Sequence, residues 1–67
     1  MNRLKMLREE NKLFQSDVAK YLEMTVAGYN FYENGKREPS LALLVAMSKY
    51  FNVSINYLIT GEEFYKK

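Results

Sequence analysis

The stretch QSDVAKYLEMTVAGYNFYENG, residues 15–35, limits the folds open to this chain more than any other. Val18, Ala19 and Leu22 stand at i, i+1 and i+4, one stripe of a short helix from about Gln15 to Leu22. Asp17 in its first turn suits the positive end of the helix dipole. Phe14 holds the cap position but cannot accept a hydrogen bond, so Ser16 is the candidate cap, one turn late. Glu23-Met24-Thr25 is a three-residue break, and Thr25 is a good N-cap for a further helix, Val26 to about Asn34. At about 100° per residue, Tyr29, Tyr32 and Glu33 share one side of that helix. Ala27, Asn30, Phe31 and Asn34 share the other, with Val26 at the border. Gly35 is a natural C′ residue with positive φ. Two short helices joined by a three-residue turn are thus expected.

The flanking sequence predicts three more helices. The first runs from about Asn2 to Asn11, with Leu4 and Leu7 on one face beside Arg8 and Asn11. Arg3, Lys5, Glu9 and Glu10 take its solvent side. After the polar loop Lys36-Arg37-Glu38, Pro39 and Ser40 announce the fourth helix, Leu41 to Phe51. Its inward stripe is read as Leu41, Leu44, Met47, Ser48 and Phe51. Leu43, Ala46 and Tyr50 form a second apolar stripe, more than one small domain can bury. Ser54 caps a fifth helix, Ile55 to about Ile59, which ends at Thr60-Gly61. The expectation is an all-α fold of five helices, one domain over residues 1–61, with a short tail over 62–67.

Composition narrows the chemistry. Sixty-seven residues make one small domain of marginal stability, for which a 48% apolar share supplies an adequate core. There is no histidine and no cysteine, so the usual general base, thiol nucleophile and soft metal ligands are missing. No catalysis, cofactor, metal or small-molecule ligand is expected. The absence of cysteine suits a reducing cytoplasm, and the charged start MNRLKMLREE carries no secretory signal. The longest apolar run, Leu41 to Met47, is far short of the roughly 20 residues that cross a bilayer. The net charge of +2 is a mild bias towards an anionic partner.

Several landmarks fall in one order: Arg8, the Q..VA..L of Gln15 to Leu22, YENGKR.PSL and V(S)..YLI.G. With them the chain resembles the phage repressor, Cro and xenobiotic-response-element-type (XRE) helix-turn-helix family from Leu4 to Glu62. The resemblance implies a five-helix, lambda-repressor-like DNA-binding domain. It implies base contacts from Thr25, Val26, Ala27, Asn30 and Phe31 on the third helix. It implies phosphate contacts from Gln15, Asn34, Lys36 and Arg37, and a structural ion pair between Arg8 and Glu33. It also implies a homodimer whose two-fold contact includes Ile55 and Tyr57.

The residues themselves agree with much of this. The middle of the third helix carries no charge, yet positive charge need only flank a groove while base edges are read between. The Asn30 amide suits adenine, and Val26, Ala27 or Phe31 suit thymine methyl groups. Many relatives carry Arg, Lys, Gln or Ser here, so an A/T-leaning site of modest specificity follows. Gly28 either permits close approach to DNA or relieves crowding beneath the helix. Tyr29 and Tyr32 supply inward bulk. Leu43, Ala46, Tyr50, Phe64 and Tyr65 would widen the dimer patch. Because the chain stops after the fifth helix, a stand-alone domain without a ligand-sensing module is expected. The function expected is a sequence-specific, double-stranded-DNA-binding transcriptional regulator, a repressor, with helix 26–34 in the major groove. The alternative is a protein-interaction module, an antitoxin or anti-repressor, docking through Val26, Ala27 and Phe31.

Overall fold

The computed structural model describes residues 2–62, with the side chain of Asn2 left aside. Five helices follow in order: α1 (Asn2–Glu10), α2 (Gln15–Tyr21), α3 (Val26–Glu33), α4 (Leu41–Phe51) and α5 (Ile55–Thr60). No strand occurs among the described residues. Three helices end one residue earlier than expected, with Leu22 and Asn34 serving as the C-caps of α2 and α3, and α5 ends one residue later. Phe64 and Tyr65, assigned above to a widened apolar patch, lie outside the described residues.

The starts of α3, α4 and α5 are built alike. Thr25, Ser40 and Ser54 each accept a backbone N–H three residues on, at 3.0, 3.2 and 2.9 Å. Each bond satisfies one of the orphan donors of a helix start. At α2 the expected late cap at Ser16 is not used. Asp17 reaches back instead, and its carboxylate accepts the Phe14 N–H at 2.8 Å. A carboxylate at the third helical position has the length to do this, whatever the residue at the cap.

The ends share a second device. The N–H of Leu13, Met24, Lys36 and Val53 each bonds a carbonyl five residues back, at 2.9–3.1 Å. The preceding residue in each case is left-handed: Lys12, Glu23, Gly35 and Asn52, with φ between 58° and 75°. This is the Schellman ending. Only Gly35 adopts it without a steric penalty. At Glu23 it produces the sharp turn between α2 and α3.

The core is Leu4 and Leu7 of α1, Val18 and Ala19 of α2, Tyr29 of α3, Met47 and Phe51 of α4, and Leu58 of α5. α1 packs on α3 and α5, α2 on α3, and α4 on α5. The inward stripe of α4 departs from expectation. Leu43 and Tyr50 pack against the core beside Leu44, Met47 and Phe51, whereas Leu41 is 70% exposed. At about 100° per residue those five inward residues span a single arc, and Leu41 lies about 120° from its centre. The stripe assigned from sequence was therefore rotated by most of a residue. Tyr50 settles the phase, since its ring stacks on Tyr21 at the end of α2, with centroids 4.2 Å apart, and meets Phe51 edge-on at 5.1 Å. The two apolar stripes thus do not make two faces. Leu43 and Tyr50 are claimed by their own subunit, and Ala46 is half-buried.

At the far end of the fold, Arg3 lies over the end of α5. Its guanidinium donates to the Thr60 carbonyl at 3.5 Å, and it packs where a side chain at Gly61 would stand. Gly61, at φ 80°, supplies both the turn and the space.

Candidate nucleic-acid interface

Behind α3 sits a buried polar cluster. The Glu33 carboxylate accepts from Arg8 Nε at 2.6 Å, from Arg8 Nη2 at 3.3 Å and from Gln15 Nε2 at 3.0 Å. Arg8 Nη1 donates to the Leu13 carbonyl at 3.0 Å. One guanidinium thus ties α1, the α1–α2 connection and α3 together. The forked pairing is the geometry in which arginine and a carboxylate interact most strongly. Burial alone would push the Glu33 carboxyl up; the hydrogen bonds and charge of Arg8, with the Gln15 amide, outweigh it and hold Glu33 below the ordinary carboxylate range. The same bond to Glu33 holds Arg8 above its ordinary value.

The Tyr29 hydroxyl lies beside this pair, fully buried and without a hydrogen bond of good geometry to any described residue. Burial, then the hydrogen-bonding pull and the charge of neighbouring Glu33, pushes its ionisation well above the usual tyrosine range. Tyr29 is therefore neutral core, as its helix phase implied.

The outward side of α3 is different in kind. Ala27 and Asn34 are exposed, Val26 and Phe31 are each 44% exposed, and Asn30 is half-buried. Ala27 is exposed and Phe31 keeps nearly half of its surface open. Thr25 stands exposed at the start of this face, its hydroxyl engaged with the Gly28 N–H. A methyl group added at Gly28 would meet that hydroxyl oxygen at 3.1 Å and the Met24 methyl at 4.0 Å. Gly28 thus eases its own helix cap, not contact with another helix.

Two of the candidate residues are joined to each other. Asn34 Nδ2 donates to Asn30 Oδ1 at 2.7 Å, and the Asn34 N–H bonds the Asn30 carbonyl at 3.0 Å. Sequence reasoning missed this pair, although two amides at i and i+4 on one helix face are a recognisable signal. Beyond Gly35, Lys36 and Arg37 are exposed and in no ion pair with a described residue. Gln15 is half-buried, with one Nε2 hydrogen given to Glu33 and the second left over. Phe14, which sequence reasoning treated only as a poor cap, is 75% exposed beside it.

The residues assigned to a two-fold contact lie elsewhere. Ile55, Tyr57 and Leu43 are half-buried, and Tyr57 and Leu43 pack on the core. The more exposed apolar residues of this end are Leu41 and Ile59, at 70% and 61%. Ile59 lines a surface cleft of about 300 Å³ with Glu38, Pro39 and Leu44. Among the described residues no helix is long and apolar enough to cross a membrane, and no cluster of acidic residues could hold a metal ion.

The helix-turn-helix family model matches residues 4–58. The uncharacterized HTH-type transcriptional regulator YqaE of Bacillus subtilis (strain 168) is 41% identical over 59 residues, 88% of this chain and 51% of that protein. The HTH-type transcriptional activator BcrR of Enterococcus faecalis is 34% identical over 61 residues, 91% of this chain and 30% of that protein. The uncharacterized HTH-type transcriptional regulator MJ0272 of Methanocaldococcus jannaschii is 36% identical over 62 residues, 92% of this chain and 94% of that protein. This chain spans about half the length of YqaE and less than a third of BcrR. With the tight α2–α3 turn and the Arg8–Glu33 pair behind it, the chain belongs to the XRE-type helix-turn-helix family and has its all-α, lambda-repressor-like fold.

Proposed function

We propose that this chain is a sequence-specific, double-stranded-DNA-binding transcriptional regulator that inserts α3 into the major groove. The observation that carries the proposal is the outward face of α3. Ala27 and Phe31 are exposed, Asn30 stands between them, and the charges of Lys36 and Arg37 follow at the helix end. Thr25, Val26, Ala27, Asn30 and Phe31 contact base edges in this scheme. The second Nε2 hydrogen of Gln15, with Lys36 and Arg37, meets phosphate oxygens. Asn30 reads adenine and the apolar groups read thymine methyls. Such a regulator acts in the cytoplasm, where its DNA lies.

Two finer features belong to the proposal. One is the homodimer, in which half-buried Ile55, Tyr57 and Leu43 meet a second copy and set two α3 helices about 34 Å apart, one turn of DNA. Sedimentation at micromolar concentration tests it. The other is repression, which rests on the likeness to phage repressors. One relative bears the name of an activator, so the sign is read from a reporter placed behind the selected site.

The deciding experiment is titration of random duplex DNA at several salt concentrations. Affinity falling steeply with salt is expected, with a slope set by the number of phosphate contacts. A flat or undetectable response would instead leave the Val26, Ala27 and Phe31 face as a protein-docking surface.

A further inference from the structure

We infer that Asn34 is a positioning residue for base recognition: it fixes which edge of the Asn30 amide faces the DNA. The inference deepens the proposal above and rests on it. Asn34 Nδ2 donates to Asn30 Oδ1 at 2.7 Å, one helical turn away on the outward face of α3. The backbone joins the same two residues a second time, Asn34 N–H to Asn30 carbonyl, at 3.0 Å. Asn34 is therefore held at the helix end with its amide aimed back along the helix.

An amide is planar, so engaging one branch sets the other. With Oδ1 turned towards Asn34, the Nδ2 of Asn30 lies on the opposite side of its plane and carries two free hydrogens. Oδ1 keeps one lone pair. The amide then presents a donor first and an acceptor second. In the major groove, adenine matches this with its N7 acceptor beside its N6 donor. Cytosine offers only a donor there, and a donor facing Nδ2 is opposed. Without Asn34 the Asn30 amide turns freely and presents either branch. The specificity at that base pair then belongs to the pair of asparagines, not to Asn30 alone.

The rival role for Asn34 is a phosphate contact, and the two differ in what they change. A phosphate contact from an uncharged amide adds the same affinity on every sequence and leaves the ratio between bases alone. A positioning role changes that ratio and leaves the affinity for random duplex alone.

The test uses the full chain. Selection from a random duplex pool, with wild type and Asn30→Ala, locates the base pair that Asn30 reads. Affinities are then measured on four duplexes differing only there. Asn34→Ala is expected to lower discrimination between the preferred base and cytosine by about 5-fold or more. Its affinity for random duplex stays near the wild-type value. The double variant Asn30→Ala, Asn34→Ala discriminates no worse than Asn30→Ala alone, as for two residues acting as one unit. Asn34→Asp accepts hydrogen bonds only, so it draws Nδ2 inward and turns Oδ1 out. Its ratio of adenine to cytosine binding falls below that of Asn34→Ala, while any general repulsion from phosphate divides out of the ratio. Equal loss on all four duplexes, and on random duplex, overturns the inference and makes Asn34 a phosphate contact. Absence of salt-dependent binding by the wild type overturns the inference and the DNA-binding proposal together.

Discussion

The two sides of α3 are eight residues of one helix with opposite constraints. Inward, Tyr29 and Glu33 are buried, and Glu33 is held by three hydrogen bonds from Arg8 and Gln15. Outward, Ala27, Phe31 and Asn34 are open, and two asparagine side chains of the same face bond each other. The inner side spends its polar chemistry on the fold. The outer side keeps its chemistry for something else. Substitutions inside should therefore change stability, and substitutions outside should change binding while leaving stability nearly untouched.

The largest test of this contrast is Glu33→Gln. It leaves the Arg8 guanidinium without a counter-charge, and a loss of about 3 kcal/mol is expected from urea unfolding. A loss under about 1 kcal/mol would mean that the inner side does not depend on the pair. The wild type should also show the pair in its pH dependence. A carboxyl held below its unfolded value contributes stability above that value and loses it as pH falls through the folded one. Melting temperature should therefore drop on acidification below about pH 4, and Glu33→Gln should be flatter in that window.

The next test belongs to the outer side. Lys36→Ala with Arg37→Ala should weaken binding to all duplexes alike and lower the salt slope by up to ~2 units. Stability should move by no more than about 0.5 kcal/mol, since both side chains are exposed. An unchanged slope would take the loop off the DNA.

Tyr29→Phe sharpens the inner side. The hydroxyl is buried beside Glu33 without a hydrogen bond of good geometry, so its removal should change stability by less than about 1 kcal/mol. A larger fall would reveal a partner that the present geometry does not supply. The smallest change is expected of Gly28→Ala. Its helix-propensity gain of about 1 kcal/mol is opposed by contact with the Thr25 hydroxyl at 3.1 Å, leaving a net change within about 0.5 kcal/mol. A loss of DNA binding without loss of stability would restore the idea that Gly28 admits the duplex closely.

The phase of α3 was legible because its ends are marked. Thr25 and Gly35 fix the start and stop, and the aromatic and polar residues between them alternate with a clear period. α4 lacked such contrast. In LALLVAM nearly every residue is apolar, so periodicity alone could not separate Leu41 from Leu43. What separates them is Tyr21, 29 residues earlier than Tyr50, and a stacking partner that remote leaves no local trace. The start of α2 was misread for a related reason. The cap was sought forward at Ser16, while the acceptor came from Asp17 reaching back. The Asn30–Asn34 bond depends on two rotamers, which residue spacing permits but does not decide.

Arg8 also bears on how the molecule assembles. Its partners are Leu13, five residues ahead, and Glu33, twenty-five residues ahead. A fragment ending before residue 33 would have to hide a cation with nothing to neutralise it, or else leave it in water with the surrounding apolar groups unpacked. The tie that Arg8 makes between α1 and α3 therefore closes only once the chain through residue 33 is present.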